Sequence, residues 1–270
     1  MLTLVPTPIG NLQDISQRAL LAIKNAQILL CEDTRVAKRL LFLLKERQNL
    51  ETDIKQFISL HSHNETKWIE NVEPDFFQQE VVYISDAGMP AISDPGALLV
   101  EYCKNNNIEY DVLPGANALL TAYAASGFTD NSFIFLGFLP HKGHERDVGL
   151  QEALYNGYTT ILYESPHRLL KLLEQLNKIE PKREVFLAKE LTKMHQKYYK
   201  NSSKDLYNLL KNEQIKGEWV VVIEAKTSSK LTLTQEDILA LDLPKKQSAK
   251  LISRLTGESI KDCYERLINQ

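Results

Sequence analysis

Cysteine is scarce in this chain of 270 residues: Cys31, Cys103 and Cys263 are odd in number, far apart and without paired spacing. That pattern excludes a disulfide framework and a paired-cysteine zinc site, and it fits a reducing compartment. Long apolar runs are missing as well. The opening MLTLVPTPIG is too short for a signal peptide, and no later segment is long and apolar enough to span a bilayer, so the expectation is a cytoplasmic protein with no membrane partner. Charge of one sign is not in excess: a net charge of −3 argues against wholesale attraction to nucleic acid, and an RNA partner would have to be met by local basic patches. Internal repeats and low-complexity tracts are absent.

What is present is the composition of a globular protein, 43% hydrophobic and 25% charged, with enough length for two domains of ordinary size. Strand-like runs at 2–5, 28–31, 57–61, 81–85 and 108–113 alternate with amphipathic stretches, clearest where Ile15, Ala19, Ala22, Ile23 and Ala26 share a helical face. This alternation predicts an α/β fold. Further strands at 133–138, 159–163, 184–188 and 219–225 are more widely spaced, and consecutive ones could pair antiparallel. The boundaries expected are an N-terminal α/β domain at 1–113, a C-terminal α/β domain at 114–228, and a linker with a helix-turn-helix-like tail at 229–270. The polar run KTSSKLTLTQED, residues 226–237, reads as linker. Beyond it, helical patterns at 244–255 and 259–268 are separated by Thr256 and Gly257, with Gly257 ending the first and Ser259 capping the second. Packing appendage and nucleic-acid reader are both open readings of that tail.

The most informative stretch is VVYISDAGMPAISDPG, residues 81–96, where a strand apolar on both faces runs into a loop with two Asp, two Gly and two Pro. Parallel strands deliver their ligand loops at their carboxyl ends. Gly88 and Gly96 allow close backbone approach, Pro90 and Pro95 stiffen the chain, and Asp86 and Asp94 supply acceptors or charge. The plainer alternative is a strand-to-helix turn in which Asp94 helps to start a helix at Ala97.

Other strand ends carry polar clusters. LTLVPTPIGNLQDIS at 2–16 reads as strand, Pro and Gly loop, and helix start with Asp14 as N-cap; it lacks a dinucleotide or Walker spacing, yet Pro8, Ile9 and Gly10 could wall a neutral or zwitterionic cofactor. CEDTR places Glu32, Asp33 and Arg35 after the second strand, with Asp33 equally able to cap the next helix. LHSHNE sets His61 and His63 two apart, but with no third ligand at clear spacing, so no metal is expected. YESPHR and KELTKMH gather Glu164, His167, Arg168, Glu190, Lys193 and His195 at two strand ends, either as a solvated rim or as one wall of a cleft.

Taken in order, TPIGN, EDTR, LHSHNE, SDAGMPAISDPG, LPGANALL, FLGFLP, YESPHR, ELTKMH and GEWVVVIE resemble the small-subunit ribosomal RNA methyltransferase I family of the tetrapyrrole methylase superfamily. The likeness extends through the tail motif SRLTGESIKDCYERL. Departures are Met89 in place of the family's frequent Thr, Asn117 in place of Ser, and Gln196 in place of Glu. The resemblance implies two α/β domains of tetrapyrrole-methylase type, a class III methyltransferase, with S-adenosyl-L-methionine held in the cleft between them. It implies 2'-O-methylation of a cytidine ribose in the decoding centre of 16S ribosomal RNA, within an assembled small subunit and by a homodimer.

On that reading Asp86 holds the positively charged amino acid end of the cofactor, Gly88 and Met89 present backbone, and Pro8, Ile9, Gly10, Asn117, Ala118 and Tyr163 line the rest. Glu32, Asp33, His63 and Glu190 are unranked candidates for the base that takes the hydroxyl proton. Arg35, His61, Arg168 and Lys193 are the candidate RNA contacts. Two alternatives stay open: methylation of a small tetrapyrrole or protein side chain by the same fold, and a non-catalytic ribosomal RNA-binding assembly factor.

Overall fold

The computed structural model describes residues 1–226, 235–241 and 243–268. Most of the expected linker, residues 227–234, and the expected boundary at 228 lie outside the described residues. The chain divides into two compact units, Met1–Lys226 and Thr227–Gln270.

The first unit contains two five-stranded sheets. In the first sheet the chain order is β1 (Leu2–Leu4), α1 (Gln17–Asn25), β2 (Ile28–Cys31), α2 (Thr34–Gln48), β3 (Gln56–Ser59), α3 (Glu65–Ile69), β4 (Val81–Ile84), α4 (Ala97–Asn105) and β5 (Tyr110–Val112). All pairings are parallel, in the order β3-β2-β4-β1-β5. Strands β2 and β4 are buried at all four residues, which is why they read as continuous apolar runs and not as alternating ones. Val5, Leu29, Val82 and Ile84 pack with α1 and α2 on one face, while Leu2, Leu4, Leu30 and Tyr83 pack with α4 on the other. Because β4 lies between β1 and β2, the loops that leave these three strands emerge side by side at their carboxyl ends.

The second sheet contributes α5 (Ala118–Ser126), β6 (Phe133–Phe138), α6 (His144–Tyr155), β7 (Thr159–Glu164), α7 (Pro166–Ile179), β8 (Glu184–Lys189), β9 (Lys197–Ser202), α8 (Ser203–Leu210) and β10 (Trp219–Ile223), in the order β6-β7-β10-β8-β9. Of the expected consecutive strands, 184–188 and 219–225 do pair antiparallel, as β8 and β10, and the other two pairings are corrected. β6 and β7 are parallel, and β10 inserts between β7 and β8. The helices α6 and α7 carry the chain back across the sheet, which makes a hairpin between those strands impossible. β9 escapes sequence detection because KYYKNS is mostly exposed and has no apolar alternation; its pairing with β8 creates it.

Two helix starts also differ from expectation. Ser16, not Asp14, caps α1, its side chain accepting the Ala19 N–H at 3.1 Å, while Asp14 closes a single 3-10 turn. Asp94 does not cap α4; Gly96 does, at φ +124 and without a side-chain bond. Asp33 caps α2 and Pro166 opens α7, as their positions suggest.

The second unit has three helices among its described residues, α9 (Gln235–Ala240), α10 (Lys245–Thr256) and α11 (Ile260–Ile268), around Ile238, Ala249, Ile252, Cys263 and Leu267. α9 occupies the end of the run read as linker. Gly257, at φ +78, ends α10, and the Ser259 hydroxyl accepts the Asp262 N–H at 3.1 Å.

Candidate active site

A cavity of about 420 Å³ lies between the carboxyl ends of the first sheet and the β7, β10 and β8 strands of the second. The loops after β1, β2 and β4 bring Ile9, Glu32, Asp86, Gly88, Met89 and Asp94 to it. Asn117 and Ala118 enter at the start of α5, and Phe138, Tyr163, Glu164, Ala188, Leu191 and Val220 form the opposite wall. Ile9 is buried in one apolar cluster with Leu191 and Val220, so the first loop of the chain is anchored on the second sheet.

The loops are tied to each other by backbone. Thr7 and Gly88 exchange two N–H···O bonds, 2.9 and 3.0 Å long. Gly88 has φ +88, which favours glycine, and a Cβ there would press on the Ile9 side chain at 3.2 Å. Gly96 is held from below: its N–H donates to Glu65 Oε1 at 2.8 Å, and a Cβ would approach the Tyr83 ring to 2.9 Å. Glu65 is buried, so a carboxylate of the LHSHNE stretch fixes the far end of the ligand loop. Sequence reasoning passed over Glu65, since nothing local distinguishes it from a helix-start glutamate.

Five acidic residues line the cavity: Glu32, Asp86 and Asp94 from the loops of the first sheet, and Glu164 and Glu218 from the second. Glu32 Oε1 accepts the Asp86 N–H at 3.0 Å, and Asp86 Oδ1 accepts the Asp33 N–H at 3.2 Å. Burial pushes the Glu32 carboxyl up to about 7; the Asp86 N–H pulls the other way, and the charges of Asp94 and Asp86 add to the rise. Asp86 and Asp94 are also raised, mainly by desolvation. Asp33 moves oppositely, down to about 2, because the Arg35 side chain and N–H hold its charged form.

Of the candidate bases, Glu32 lines the cavity and Asp33, His63 and Glu190 do not. The Asp33 carboxylate takes the Arg35 guanidinium at 2.6 Å. Glu190, at φ +50, accepts the Glu218 N–H at 2.8 Å and Lys193 Nζ at 3.2 Å; burial opposes its charge, but these two bonds keep its carboxyl below the usual range. His63 is exposed, with its ring 5.9 Å from that of the half-buried His61, whose Nδ1 has no hydrogen-bond partner.

Of the expected cofactor residues, Ile9, Asp86, Gly88, Met89, Asn117, Ala118 and Tyr163 line the cavity, whereas Pro8 and Gly10 do not. Gly10 instead faces the β8–β9 turn, where a Cβ would meet the Lys193 side chain at 2.5 Å, and the Asn11 N–H donates to Thr192 Oγ1 at 2.9 Å. The Asn117 side chain caps α5 through the Leu120 N–H. Gln196, a departure from the resembled pattern, accepts the Thr192 N–H in the same turn.

Among the expected RNA contacts, Arg35 is 89% exposed beside Asp33 and Lys193 is bonded to Glu190 and Glu218. Arg168 lies against Glu164 at 2.7 Å and donates to the Leu139 carbonyl at 3.0 Å, so its guanidinium is engaged within the chain. Glu164 is no member of a solvated rim: it is buried, with Arg146 as a second cation at 3.5 Å. Arg146, itself buried and bonded to Gln175 and the Pro140 carbonyl, gives no sign of this role in its helical sequence context.

The family described as Tetrapyrrole (Corrin/Porphyrin) Methylases matches residues 1–207. The chain is 48% identical over 270 residues to the ribosomal RNA small subunit methyltransferase I of Campylobacter fetus subsp. fetus, covering 99% of this chain and all of that protein. It is 43% identical to the protein of the same name from Helicobacter pylori strain 26695, over 100% and 99% of the two chains. Among solved structures, the methyltransferase CobJ superposes with a TM-score of 0.59 at 18% identity, over 85% of this chain and 96% of that one. The cobalt precorrin-4 methyltransferase CbiF gives 0.57 at 15%, over 83% and 94%. At these identities the structures share the fold.

Proposed function

Because the chain belongs to the tetrapyrrole methylase family and, within it, to the ribosomal RNA small subunit methyltransferase I group, we propose that it methylates the ribose 2'-oxygen of a cytidine in the decoding centre of small-subunit ribosomal RNA. The methyl donor is S-adenosyl-L-methionine. The observation that carries the reading is a cavity of about 420 Å³ in which the strand-end carboxylates of Glu32, Asp86 and Asp94 meet the apolar side chains of Ile9, Leu191 and Val220. Such a donor set suits a ligand with a cationic sulfonium and ammonium and an apolar-faced adenine. The Gly88 N–H and C=O are both engaged by Thr7, so the glycine serves to hold the loops after β1 and β4 together at the cavity.

When bound, S-adenosyl-L-methionine supplies an electrophilic methyl group. Asp86 binds its cationic amino acid end, and Ile9, Ala118, Tyr163, Leu191 and Val220 exclude water from the site. Glu32 is the base: one oxygen is held by the Asp86 N–H, and the carboxylate takes the proton from the ribose hydroxyl as that oxygen attacks. A carboxyl near 7 is matched to that task, whereas Asp33 at about 2 is too weak a base. Positioning of the two reactants supplies the larger share of the rate.

The tail is assigned to substrate docking. Lys246, Lys250 and Arg254 are exposed at intervals of four along α10 and make no ion pair among the described residues, whereas Arg266 is held by Glu258 at 2.7 Å. Such a stripe on one helical face suits phosphate contacts. The substrate is the assembled small subunit and the active form is a homodimer. Mass mapping of small-subunit ribosomal RNA from cells lacking the gene tests the assignment: loss of one ribose methyl group, restored by the parent chain and not by Glu32→Gln, is expected. Unchanged methylation in those cells would overturn it.

A further inference from the structure

A second cavity, of about 210 Å³, opens where the far end of the β8–β9 ribbon meets the end of α8 and the loop at 213–215. We infer that it is a binding pocket for a backbone phosphate of the RNA substrate, held by Lys189 and Lys197; the assignment of the phosphate to RNA rests on the function proposed above.

The two lysines are the last rung of the β8–β9 ladder, directly opposite each other, and both line the cavity. Like charges in that relationship repel, and neither lysine lies within ion-pair distance of an acid among the described residues, although their neighbours Lys193 and Lys200 both do; Lys189 acts on the Glu190 carboxylate only at longer range. The one acid in the lining is exposed Glu213, which leaves a surplus of one positive charge. Lys189 Nζ lies 5.5 Å from the centre of the Trp219 ring, and Tyr199 stacks on the same ring at 6.0 Å and 27°. One ammonium is thus steered over an aromatic wall, where water competes less for it and an anion gains more.

The position says which anion. Trp219 lines both cavities, which lie against opposite faces of the second sheet, so the lysine pair is reached from the reaction site round the start of β10. A strand that places one ribose in the larger cavity carries a flanking phosphate toward the smaller one. Lysine ammonium groups contact phosphate as point charges, which suits a contact that positions a strand without reading its bases.

The test is the salt dependence of binding to small ribosomal subunits from cells lacking the enzyme, for the full chain and for the double variant Lys189→Gln, Lys197→Gln. A matched control neutralises Lys24 and Lys104, which line neither cavity. The slope of log affinity against log salt should shrink by about 0.7 in the lysine-pair variant, the share of one phosphate on a single strand, and by no more than that in each single variant. S-adenosyl-L-methionine affinity, read by calorimetry, should be unchanged in all of them. An unchanged slope, or an equal loss in the control, overturns the inference.

Should the parent chain bind no small subunits, the proposed function is what fails, and the pocket is judged by inorganic phosphate alone. In a Trp68→Phe background, where Trp219 is the remaining tryptophan, phosphate should change the fluorescence and the lysine-pair variant should abolish the change. No response means there is no phosphate pocket. A phosphate response with an unchanged salt slope means the pocket serves a free phosphate ligand, which overturns the assignment to RNA.

Discussion

Glu32 accepts the backbone N–H of Asp86 at 3.0 Å, so the carboxylate at the end of β2 supports the residue that opens the ligand loop after β4. Asp86 in turn accepts the Asp33 N–H at 3.2 Å, and the two strand ends lock each other. Burial is the chief reason Glu32 resists ionisation; the Asp86 N–H works against it, and the charges of Asp94 and Asp86 add to it.

The pH dependence of the reaction follows from that. Glu32 must be ionised to accept a proton, so kcat/KM should fall about tenfold per pH unit below about 7. Glu32→Gln keeps an acceptor for the Asp86 N–H but cannot take a proton, and its rate should drop about 10²- to 10⁴-fold with the acid limb removed. A retained acid limb in this variant would assign the proton transfer to another group.

Stability should move in the opposite direction. With its carboxyl raised from 4.5 to about 7, Glu32 binds its proton more tightly in the folded than in the unfolded chain between those values, so stability declines as pH rises through that window. Glu32→Gln avoids the charge and should melt higher than the parent at pH 8, with the difference closing below pH 4.5. Calorimetric melting of both proteins without ligand across pH 4 to 8, a range set by these values, decides it; a constant difference would mean that the substitution acts through packing.

Asp86→Ala should weaken S-adenosyl-L-methionine binding by about ten- to a hundredfold, the value of about 1.5 to 3 kcal/mol for a hydrogen bond to a charged group. Asp86→Asn retains the acceptor for Asp33 and should lose less. Isothermal titration of the two folded variants separates charge from loop geometry. Equal affinity in Asp86→Ala and the parent would remove Asp86 from the site.

Glu65→Ala leaves the buried Gly96 N–H without its partner and should cost about 1 to 3 kcal/mol of stability. Gly96→Ala combines a φ of +124 with a 2.9 Å approach to the Tyr83 ring and should cost at least as much. Denaturant titration of each variant reads these losses directly. A Glu65→Ala protein as stable as its parent would show that water replaces the carboxylate.

Truncation after Lys226 removes the three-helix unit, which has its own small core. S-adenosyl-L-methionine affinity should persist while the rate on small subunits falls, with the deficit largest at low salt and a shallower salt dependence than the parent's, because the Lys246, Lys250 and Arg254 stripe is lost. Loss of cofactor binding in the truncated chain would make the tail a part of the architecture instead.

Much of this was legible in the residues themselves. The buried parallel strands are visible as apolar runs because both faces of β2 and β4 are covered, and the ligand loop is visible because close backbone approach favours Gly88 and a stiff chain favours proline. Asp86 and Glu32 stand at strand ends for the same reason, since parallel sheets expose their loops there. The order of strands in the second sheet was not legible: insertion of β10 between β7 and β8 depends on long-range pairing, and β9 is a strand only because β8 offers it hydrogen bonds. Ranking the four candidate bases also needed the fold, because Asp33 turned to Arg35, Glu190 to Glu218 and Lys193, and burial with the nearby charges of Asp94 and Asp86 raises Glu32. The roles of Glu65 and of the Lys189 and Lys197 pair belong to the same class. A local pattern sets which groups are available, whereas burial, charge crowding and cross-strand neighbours, which set what those groups can do, arise from segments far apart in the chain.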